Sequence, residues 1–241
     1  MPRRPPHAAL PDGSEAFLTP WTAPRADRIR RRLRAAALSA LDGPALAAPV
    51  ADWIAAGGLL RAHVVDELGR QNGLPADIRT LLATAVELVH AGSLLHDDVL
   101  DESPMRRDRP ALWAAHGIKA ALLAGDALIV EGVRLLQCPP RVKTPVDWPW
   151  LARELVQAAQ ATCQGELLQD FPVGNAHFPP EAIAARKTGP LFAWAAIAAL
   201  AGLPETARRA RLATLRRRGI ALGVAYQALD DRRDAASTRL P

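Results

Sequence analysis

Cysteine is scarce in this sequence, and its scarcity excludes a fold held together by disulfides. The 241 residues contain only Cys138 and Cys163, which form no CxxC pair and no other metal-binding spacing. The N-terminus carries prolines and arginines but no apolar signal core. No run reaches the ~18 uninterrupted apolar residues that a membrane span needs. We therefore expect a cytoplasmic protein without a transmembrane segment.

Aromatic residues and lysine are also few. Aromatic residues make up 5% of the chain, and lysine occurs only at 119, 143 and 187, so arginine supplies most of the positive charge behind the net +5. The basic runs at 30–34 and 216–218 contain no interleaved aromatic residue and no zinc or reader motif. This argues against binding of nucleic acid, and both runs are more typical of solvated helix faces.

The residues that remain predict an all-α fold. Alanine, leucine and arginine favour helix, and the chain shows neither strand-length alternation nor a repeat of 20–50 residues. We expect one helical domain over residues 26–241, preceded by a proline-rich arm, residues 1–25, that is disordered or loosely packed. Helices are predicted at about 25–41, 49–71 with a break at 57–58, 75 to a stop at 103–104, 110–136 as one or two helices, 150–171, 180–201 and 204–234.

Two acidic arrays of identical spacing stand out against this helical background. The first is DDVLD, with Asp97, Asp98 and Asp101, and it lies in the segment HAGSLLHDDVLDESPMRR of residues 90–107. The second is DDRRD, with Asp230, Asp231 and Asp234. Asp97 and Asp101 share a helix face one turn apart. Because carboxylates packed this closely repel one another, the array is costly unless a cation neutralises it.

The residue types around the first array suggest magnesium and phosphate. Magnesium takes one or two carboxylates together with phosphate oxygens, and Arg106 and Arg107 follow at once with the forked donors that phosphate oxygens prefer. A charge cluster at a helix end is often merely solvated. Two arrays of the same spacing, each after an apolar helical run, instead favour metal ions shared around one diphosphate.

These motifs resemble the trans-isoprenyl diphosphate synthases, the polyprenyl synthetase family. The resemblance covers roughly residues 50–234 and is carried by LLHDDVLDESPMRRDRPALWAAHG, AGDALI at 124–129, the Lys187-Thr188 pair and YQALDDRRD. It implies an isoprenoid-synthase-type helical bundle around a central apolar cavity. It also implies a head-to-tail prenyltransferase that condenses an allylic diphosphate with isopentenyl diphosphate, with Mg²⁺ as cofactor.

The resemblance assigns a role to each matching residue. Catalytic roles fall to Lys187, Asp97, Asp98, Asp101, Asp230 and Asp231. Mg²⁺ would be held by these five aspartates and by Asp234. Isopentenyl diphosphate would be bound by Arg61, His90 and Arg107, and the allylic diphosphate by Arg106, Lys187, Thr188 and Gln227. Gln164 and Glu166 resemble a mid-chain helix of the family, and we expect no direct contact from them. His90 alone could equally be a core histidine, and Arg61 an ordinary residue of a helix surface.

Two small residues bear on product length. Gly92 and Ser93 lie five and four residues before Asp97, one turn beneath the metal site. By resemblance, a bulky aromatic residue at these positions stops chain growth, so small residues predict a product of C20 or longer. Close packing between helices is the alternative, since small residues also permit it.

The sequence departs from the family pattern in two places. The segment AGGLLRA, residues 56–62, keeps Arg61 but has Gly58 where the family's lysine falls, which removes one cation from the isopentenyl site. The chain ends seven residues after Asp234, so we expect it to lack the family's last helices. These departures leave two alternatives open: a non-catalytic or accessory subunit of a prenyl diphosphate synthase, and a repurposed terpene cyclase. By resemblance we expect a homodimer, with a heteromeric assembly as the alternative.

Overall fold

A computed structural model describes residues 22–107, 109–139, 142–171 and 178–237 of the chain, without the side chains of 44 and 233–237. The described part contains ten helices and one pair of two-residue strands. The helices are α1 Ala23–Ala40, α2 Pro44–Ala55, α3 Leu60–Gln71, α4 Ala76–Leu100, α5 Leu112–His116, α6 Ile118–Gln137, α7 Trp148–Asp170, α8 Pro180–Lys187, α9 Gly189–Ala198 and α10 Glu205–Ser237. The strands are β1 Met105–Arg106 and β2 Arg109–Pro110.

The predicted all-α class is confirmed, and the differences from the predicted boundaries have local causes. Helix α1 begins at Ala23 because Pro24 occupies one of its first positions, where proline is favourable. Three residues of the predicted arm, 23–25, are therefore helical, whereas residues 1–21 lie outside the described part of the chain. The predicted helix over 180–201 is two helices, α8 and α9, which meet at Thr188.

Two features lie next to predicted site residues. The break predicted at 57–58 is confirmed, since the turn of Gly57 and Gly58 and the left-handed Leu59, with φ 52°, separate α2 from α3, although α2 begins earlier than predicted, at Pro44. Strand was not predicted, yet Arg106 pairs with Arg109 in an antiparallel β-hairpin. The hairpin holds Arg106 directly after the end of α4.

Helix α4 is the central element of the core. By length and composition alone it could cross a membrane, but 83% of its most apolar window is buried inside the fold. Its apolar residues, among them Leu82, Leu88 and Leu95, belong to one continuous buried cluster with residues of α1, α3, α6, α7 and α9. The helix is therefore buried at the centre of the fold, with Asp97 and Asp98 at its last turn.

Glycines bring α4 and α6 into close contact. A Cβ added at Gly92 would lie 2.6 Å from the Gly125 carbonyl oxygen, and one added at Gly132 would lie 2.7 Å from the Ala85 carbonyl oxygen. Real Cβ atoms do not approach backbone this closely, so the two helices pack backbone to backbone along this seam. The seam leaves no space between α4 and α6 at the level of Gly92.

A buried group of charges ties α1, α3 and α4 together. The Asp66 carboxylate accepts hydrogen bonds from Arg25 at 2.6 Å and Arg79 at 2.8 Å. Glu67 accepts from Arg70 at 2.6 Å and from Arg25 at 3.0 Å. The hydrogen bond from Arg70 lowers the pKa of Glu67 to about 2, although burial acts in the opposite direction.

Candidate active site

The first acidic array lies where α4 ends, and a hairpin arginine holds it. Asp98 is buried, and its Oδ1 accepts a hydrogen bond from Arg106 Nε at 2.5 Å. Its Oδ2 is also buried and has no hydrogen-bond partner among the residues that the structure describes. Burial raises the pKa of Asp98, although the hydrogen bond from Arg106 favours the charged form. Protein groups therefore satisfy only one of the two carboxylate oxygens of Asp98.

Lys187, the last residue of α8, reaches across to the same array. Its Nζ lies 3.0 Å from Asp97 Oδ1 and 2.7 Å from Glu166 Oε2. Burial disfavours the charged form of Lys187, but the hydrogen bond to Glu166 and the charge of Asp97 outweigh it and raise the pKa of the lysine. Lys187 thus stays charged and links α8 to α4 and α7.

The next residue, Thr188, connects the lysine to the second acidic array. The Thr188 hydroxyl donates to Gln227 Oε1 at 2.8 Å, and Gln227 Nε2 donates to Asp231 Oδ1 at 2.8 Å. Asp230 lies beside this residue on α10 and is partly buried. The side chain of Asp234 lies outside the described part of the chain. The consecutive residues Lys187 and Thr188 therefore join the two acidic arrays into one site.

A second group of predicted site residues lies around His90, two turns before Asp97 in α4. The Arg61 guanidinium is buried and stacks on the Phe192 ring, with its Cζ 4.4 Å from the ring centroid. Arg107 Cζ lies 5.6 Å from the Trp53 centroid. His90 lies in the electrostatic field of both arginines. Its pKa is well below the usual range because of burial first and the nearby charges of Arg61, Arg107 and Arg106 next. At neutral pH His90 is therefore an uncharged hydrogen-bonding group.

Backbone strain concentrates around these two groups. Among the described residues, the non-glycine residues with positive φ are Leu59 at 52°, Glu102 at 49° and Arg107 at 53°. Leu59 lies two residues before Arg61, and Glu102 directly follows Asp101. Non-glycine residues in this conformation cost energy and tend to persist where function requires them.

The comparison with known proteins identifies the family. A family model described as polyprenyl synthetase matches residues 44–240. The chain belongs to the polyprenyl synthetase family. The geranylgeranyl diphosphate synthase of Mycobacterium tuberculosis is 34% identical over 182 residues, which cover 73% of this chain and 49% of that protein.

Two further relatives bear on fold and assembly. The heterodimeric geranylgeranyl pyrophosphate synthase small subunit of Arabidopsis thaliana, a chloroplastic protein, is 32% identical over 62% of this chain and 46% of its own length. The solved structure of an isoprenoid synthase family member from Thermotoga neapolitana superposes with a TM-score of 0.74 at 25% identity, covering 90% of this chain and 83% of that one. This chain thus spans about half the length of the two curated relatives.

Polyprenyl synthetases are generally magnesium-dependent, and the acidic groups of this chain are chemically suited to that ion. Among the described side chains, no three His, Cys, Asp or Glu groups converge into a ready-made metal cage. Yet Asp98 Oδ2 is buried without a partner, and the pKa of Asp101 is raised by desolvation and by the charge of Asp97. A cation would relieve both. These groups fit an ion that takes one or two carboxylates from protein and the rest from phosphate and water.

The role predicted for Gly92 needs correction. The small residue at position 92 was expected to leave a slot for a growing hydrocarbon tail. However, a Cβ atom added at Gly92 would lie 2.6 Å from the Gly125 carbonyl oxygen and 2.7 Å from Ile129. The glycine is there because α6 packs directly against it, which was the alternative explanation. Ser93 is partly buried, and its hydroxyl donates to the His90 carbonyl oxygen at 2.8 Å. The expectation of a C20 or longer product has no support from Gly92.

The position of the absent family lysine is open. A Cβ added at Gly58 would meet no atom within 4 Å, and the backbone there has no positive φ. The glycine is therefore not required by packing or by backbone conformation. The site lacks this cation although a side chain would fit.

Some residues of this synthetase site were not found from the sequence. The ion pair of Glu166 with Lys187 was not predicted, although it leaves untested the expectation that Glu166 does not touch the substrate. Glu87, Phe192 and Tyr226 were not considered as site residues, and all three surround Arg61. The spacing of Glu87 and His90, three residues apart on one face of α4, was a signal that could have placed Glu87 beside the histidine.

Proposed function

We propose that this polyprenyl synthetase is a trans-prenyltransferase that joins an allylic diphosphate to isopentenyl diphosphate. The observation that carries the proposal is the link made by Lys187 and Thr188. Lys187 binds Asp97, and Thr188 binds Asp231 through Gln227. A diphosphate placed at this link would meet carboxylates of both arrays and two cationic side chains at once.

The allylic diphosphate belongs at the group of residues around the end of α4. Lys187 and Arg106 supply charge-assisted hydrogen bonds to its oxygens, and Thr188 and Gln227 orient Asp231. Magnesium held by the carboxylates of Asp97, Asp98, Asp101, Asp230, Asp231 and Asp234 would neutralise the diphosphate as a leaving group. Glu166 keeps the Lys187 ammonium in place between α7 and α4.

Isopentenyl diphosphate belongs at the second group, around His90. Arg61 and Arg107 would bind its diphosphate, while His90 would donate or accept a hydrogen bond as a neutral imidazole. The charges of Arg61 and Arg107 both act on His90 and help to hold its pKa low. The two substrates would then lie beside His90 and Asp97, which are two turns apart on α4, and such proximity is what a condensation requires.

The residues can then carry a balanced reaction. The C1–O bond of the allylic substrate breaks, and its electron pair leaves with the diphosphate, stabilised by Lys187 and Arg106. The double bond of isopentenyl diphosphate forms the new carbon–carbon bond to C1. A proton leaves the adjacent carbon for the released diphosphate, which yields a trans product five carbons longer. Loss of the diphosphate leaves a positive charge on the allylic carbons. The apolar walls of the helices exclude water, which would react with this allylic cation.

The test is an extension assay with a matched control. The purified protein is incubated with Mg²⁺, isopentenyl diphosphate and each allylic diphosphate of C5, C10, C15 and C20, and dephosphorylated products are sized by mass spectrometry. We expect extended alcohols from wild type and from Asp77→Ala, and none from Asp97→Ala. Asp77 is an exposed carboxylate in the first turn of the same helix α4. Its substitution controls for any general effect on the helix.

An accessory subunit is the second candidate function. Gly58 in place of the family lysine weakens the isopentenyl site, and one relative is itself named the small subunit of a heterodimeric synthase.

Helix α6 exposes apolar side chains, with Leu123 68% and Val130 65% exposed. This supports an assembly through α6, which we propose to be a homodimer. Absence of extension in the assay together with Mg²⁺-dependent binding of an allylic diphosphate would favour the accessory role. Conversion of the allylic substrate to a hydrocarbon would favour a cyclase.

A further inference from the structure

Helix α3 begins without a local cap. Its N-cap residue is Leu59, whose side chain offers no acceptor, and no side-chain cap bond is present. The His63 N–H bonds to the Leu59 carbonyl oxygen at 2.9 Å, so the unsatisfied donors are the N–H groups of residues 60–62. A helix end that is buried without partners for these donors is unfavourable. Arg61 lies in this first turn.

Glu87 of α4 supplies the missing acceptor. Its Oε1 accepts a hydrogen bond from the Ala62 N–H at 2.9 Å, and the Arg61 N–H also favours the charged carboxylate. The second and third N–H groups of a helix are the ones that an N-cap side chain normally satisfies. Glu87 therefore performs from a neighbouring helix the function that Leu59 cannot perform locally.

The same carboxylate balances the charge of Arg61. Both side chains are buried, with Arg61 6% and Glu87 5% exposed. Burial lowers the pKa of Arg61, and the charge of Glu87 is the largest influence in the opposite direction. Burial raises the pKa of Glu87, and Arg61 is the largest influence against it. Each charge thus supports the other, and removal of one would leave the other buried and unpaired.

We propose that Glu87 is a positioning residue of the isopentenyl diphosphate site. It fixes the first turn of α3, and with it the direction in which Arg61 leaves the helix, without touching the substrate. The inference rests on the proposed function and deepens it. Because Glu87 accepts from the N–H groups of Ala62 and Arg61, those two donors are not available to a phosphate. The side chains of Arg61 and Arg107 would then supply the cationic contacts to the diphosphate.

The test compares a variant that removes the cap with one that keeps it. Glu87→Ala removes the acceptor, whereas the amide oxygen of Glu87→Gln still accepts from the Ala62 N–H. Loss of the cap frees the first turn of α3 and lets Arg61 shift. We therefore expect Glu87→Ala, which loses both the cap and the charge, to raise the KM for isopentenyl diphosphate about tenfold. Glu87→Gln keeps the cap but leaves Arg61 without its counter-charge, so we expect a smaller rise of about threefold. The KM for the allylic diphosphate should change less than about twofold in both. Glu131→Gln, which alters a buried glutamate paired with Arg134 on α6, is the matched control.

Two outcomes would overturn the inference. If both KM values rise together, Glu87 supports the fold in general rather than Arg61. If Glu87→Gln is as impaired as Glu87→Ala, or if either variant binds isopentenyl diphosphate more tightly, the carboxylate acts by charge alone and not as a cap.

Two readouts do not depend on turnover. Hydrogen exchange of the Ala62 amide should be faster in Glu87→Ala than in Glu87→Gln or wild type, and equal rates would also refute the cap. Calorimetric binding of isopentenyl diphosphate without an allylic substrate separates the two proposals. If wild type binds but does not extend a chain, the proposed condensation fails while the role of Glu87 is still measured.

Discussion

Restoring the absent cation at Gly58 should strengthen binding of isopentenyl diphosphate. The site holds Arg61 and Arg107 as cations and Glu87 as an anion, with His90 neutral, so its net charge is low for a ligand that carries a diphosphate. A Cβ at Gly58 would meet no atom within 4 Å, and the position has no positive φ. The Gly58→Lys protein should therefore fold normally. Its new lysine lies three residues before Arg61 in the sequence and adds an ammonium group to the site.

The expected gain follows from opposing contributions. A hydrogen bond between charged groups contributes about 1.5–3 kcal/mol, and ordering a lysine side chain costs up to ~2 kcal/mol. Part of the side chain remains mobile, so we expect a net gain of about 1–2 kcal/mol, which is a ~5–30-fold lower KM. The gain should shrink at high salt, because the lysine would be partly exposed.

The assay is the steady-state KM for isopentenyl diphosphate at a saturating allylic diphosphate. Gly58→Met is the uncharged control of similar length, and Gly43→Lys makes the same substitution at another open glycine, between α1 and α2. We expect neither control to lower the KM. An unchanged KM in Gly58→Lys would refute the reasoning, and so would an equal fall in Gly58→Met. In either case the charge deficit at this position would not limit binding.

Three further substitutions test other parts of the site and fold. Lys187→Met removes the cation between the two arrays, so we expect kcat/KM for the allylic diphosphate to fall by ~10²–10³ while the fold is retained, as measured by circular dichroism. The pKa of Glu67 is lowered to about 2 by its hydrogen bond from Arg70. Its stabilisation is thus complete well above the unfolded pKa of about 4.5 and is lost as the pH falls towards 2. We expect the free energy of unfolding in urea to drop by ~2 kcal/mol more between pH 6 and pH 3 in wild type than in Glu67→Gln. Gly92→Ala forces a Cβ against the Gly125 carbonyl oxygen and should destabilise the fold by ~1–3 kcal/mol, again measured in urea.

Each of these has a control on the same molecule. Lys119→Met removes an exposed lysine of α6 and should leave kcat/KM unchanged. Glu205→Gln breaks an exposed ion pair with Arg209 and should not alter the pH dependence of unfolding. Ser93→Ala loses one hydrogen bond beside Gly92 and should cost at most ~1 kcal/mol. A Gly92→Ala protein as stable as wild type but with a shorter product would instead restore the chain-length role.

The acidic arrays could be predicted because their information is local. DDVLD places Asp97 and Asp101 one turn apart whatever the rest of the fold, and the apolar residues before it predict that this turn ends a buried helix. Arg106 follows within a few residues, so its meeting with Asp98 needed only a short turn. The prediction failed where the same local signal allows two meanings. A glycine at 92 fits either an open slot or a close helix contact, and only the position of α6 decides between them.

Contacts made by distant residues could not be read from the sequence. Glu87 meets the N–H of Ala62 from 25 positions away, and no pattern in either segment specifies the other. The break between α8 and α9 was missed for a different reason. Gly189 and Pro190 directly follow Thr188 and are a local signal for the start of a new helix, but the apolar run around them favoured one continuous helix. The bond from the Thr188 hydroxyl to Gln227, 39 positions further along the chain, could not be predicted.

The charges of the site are paired with protein groups before any ligand arrives. Lys187 balances Asp97, Arg106 balances Asp98, and Glu87 balances Arg61. Buried charges without partners would destabilise the fold, so this pairing allows the site to exist in the ligand-free chain. Binding of a magnesium diphosphate then exchanges one set of ion pairs for another, and affinity reflects only the difference between them. A single missing cation, as at Gly58, acts on that small difference, and we therefore expect this one glycine to have a large effect on how tightly the proposed isopentenyl site binds its ligand.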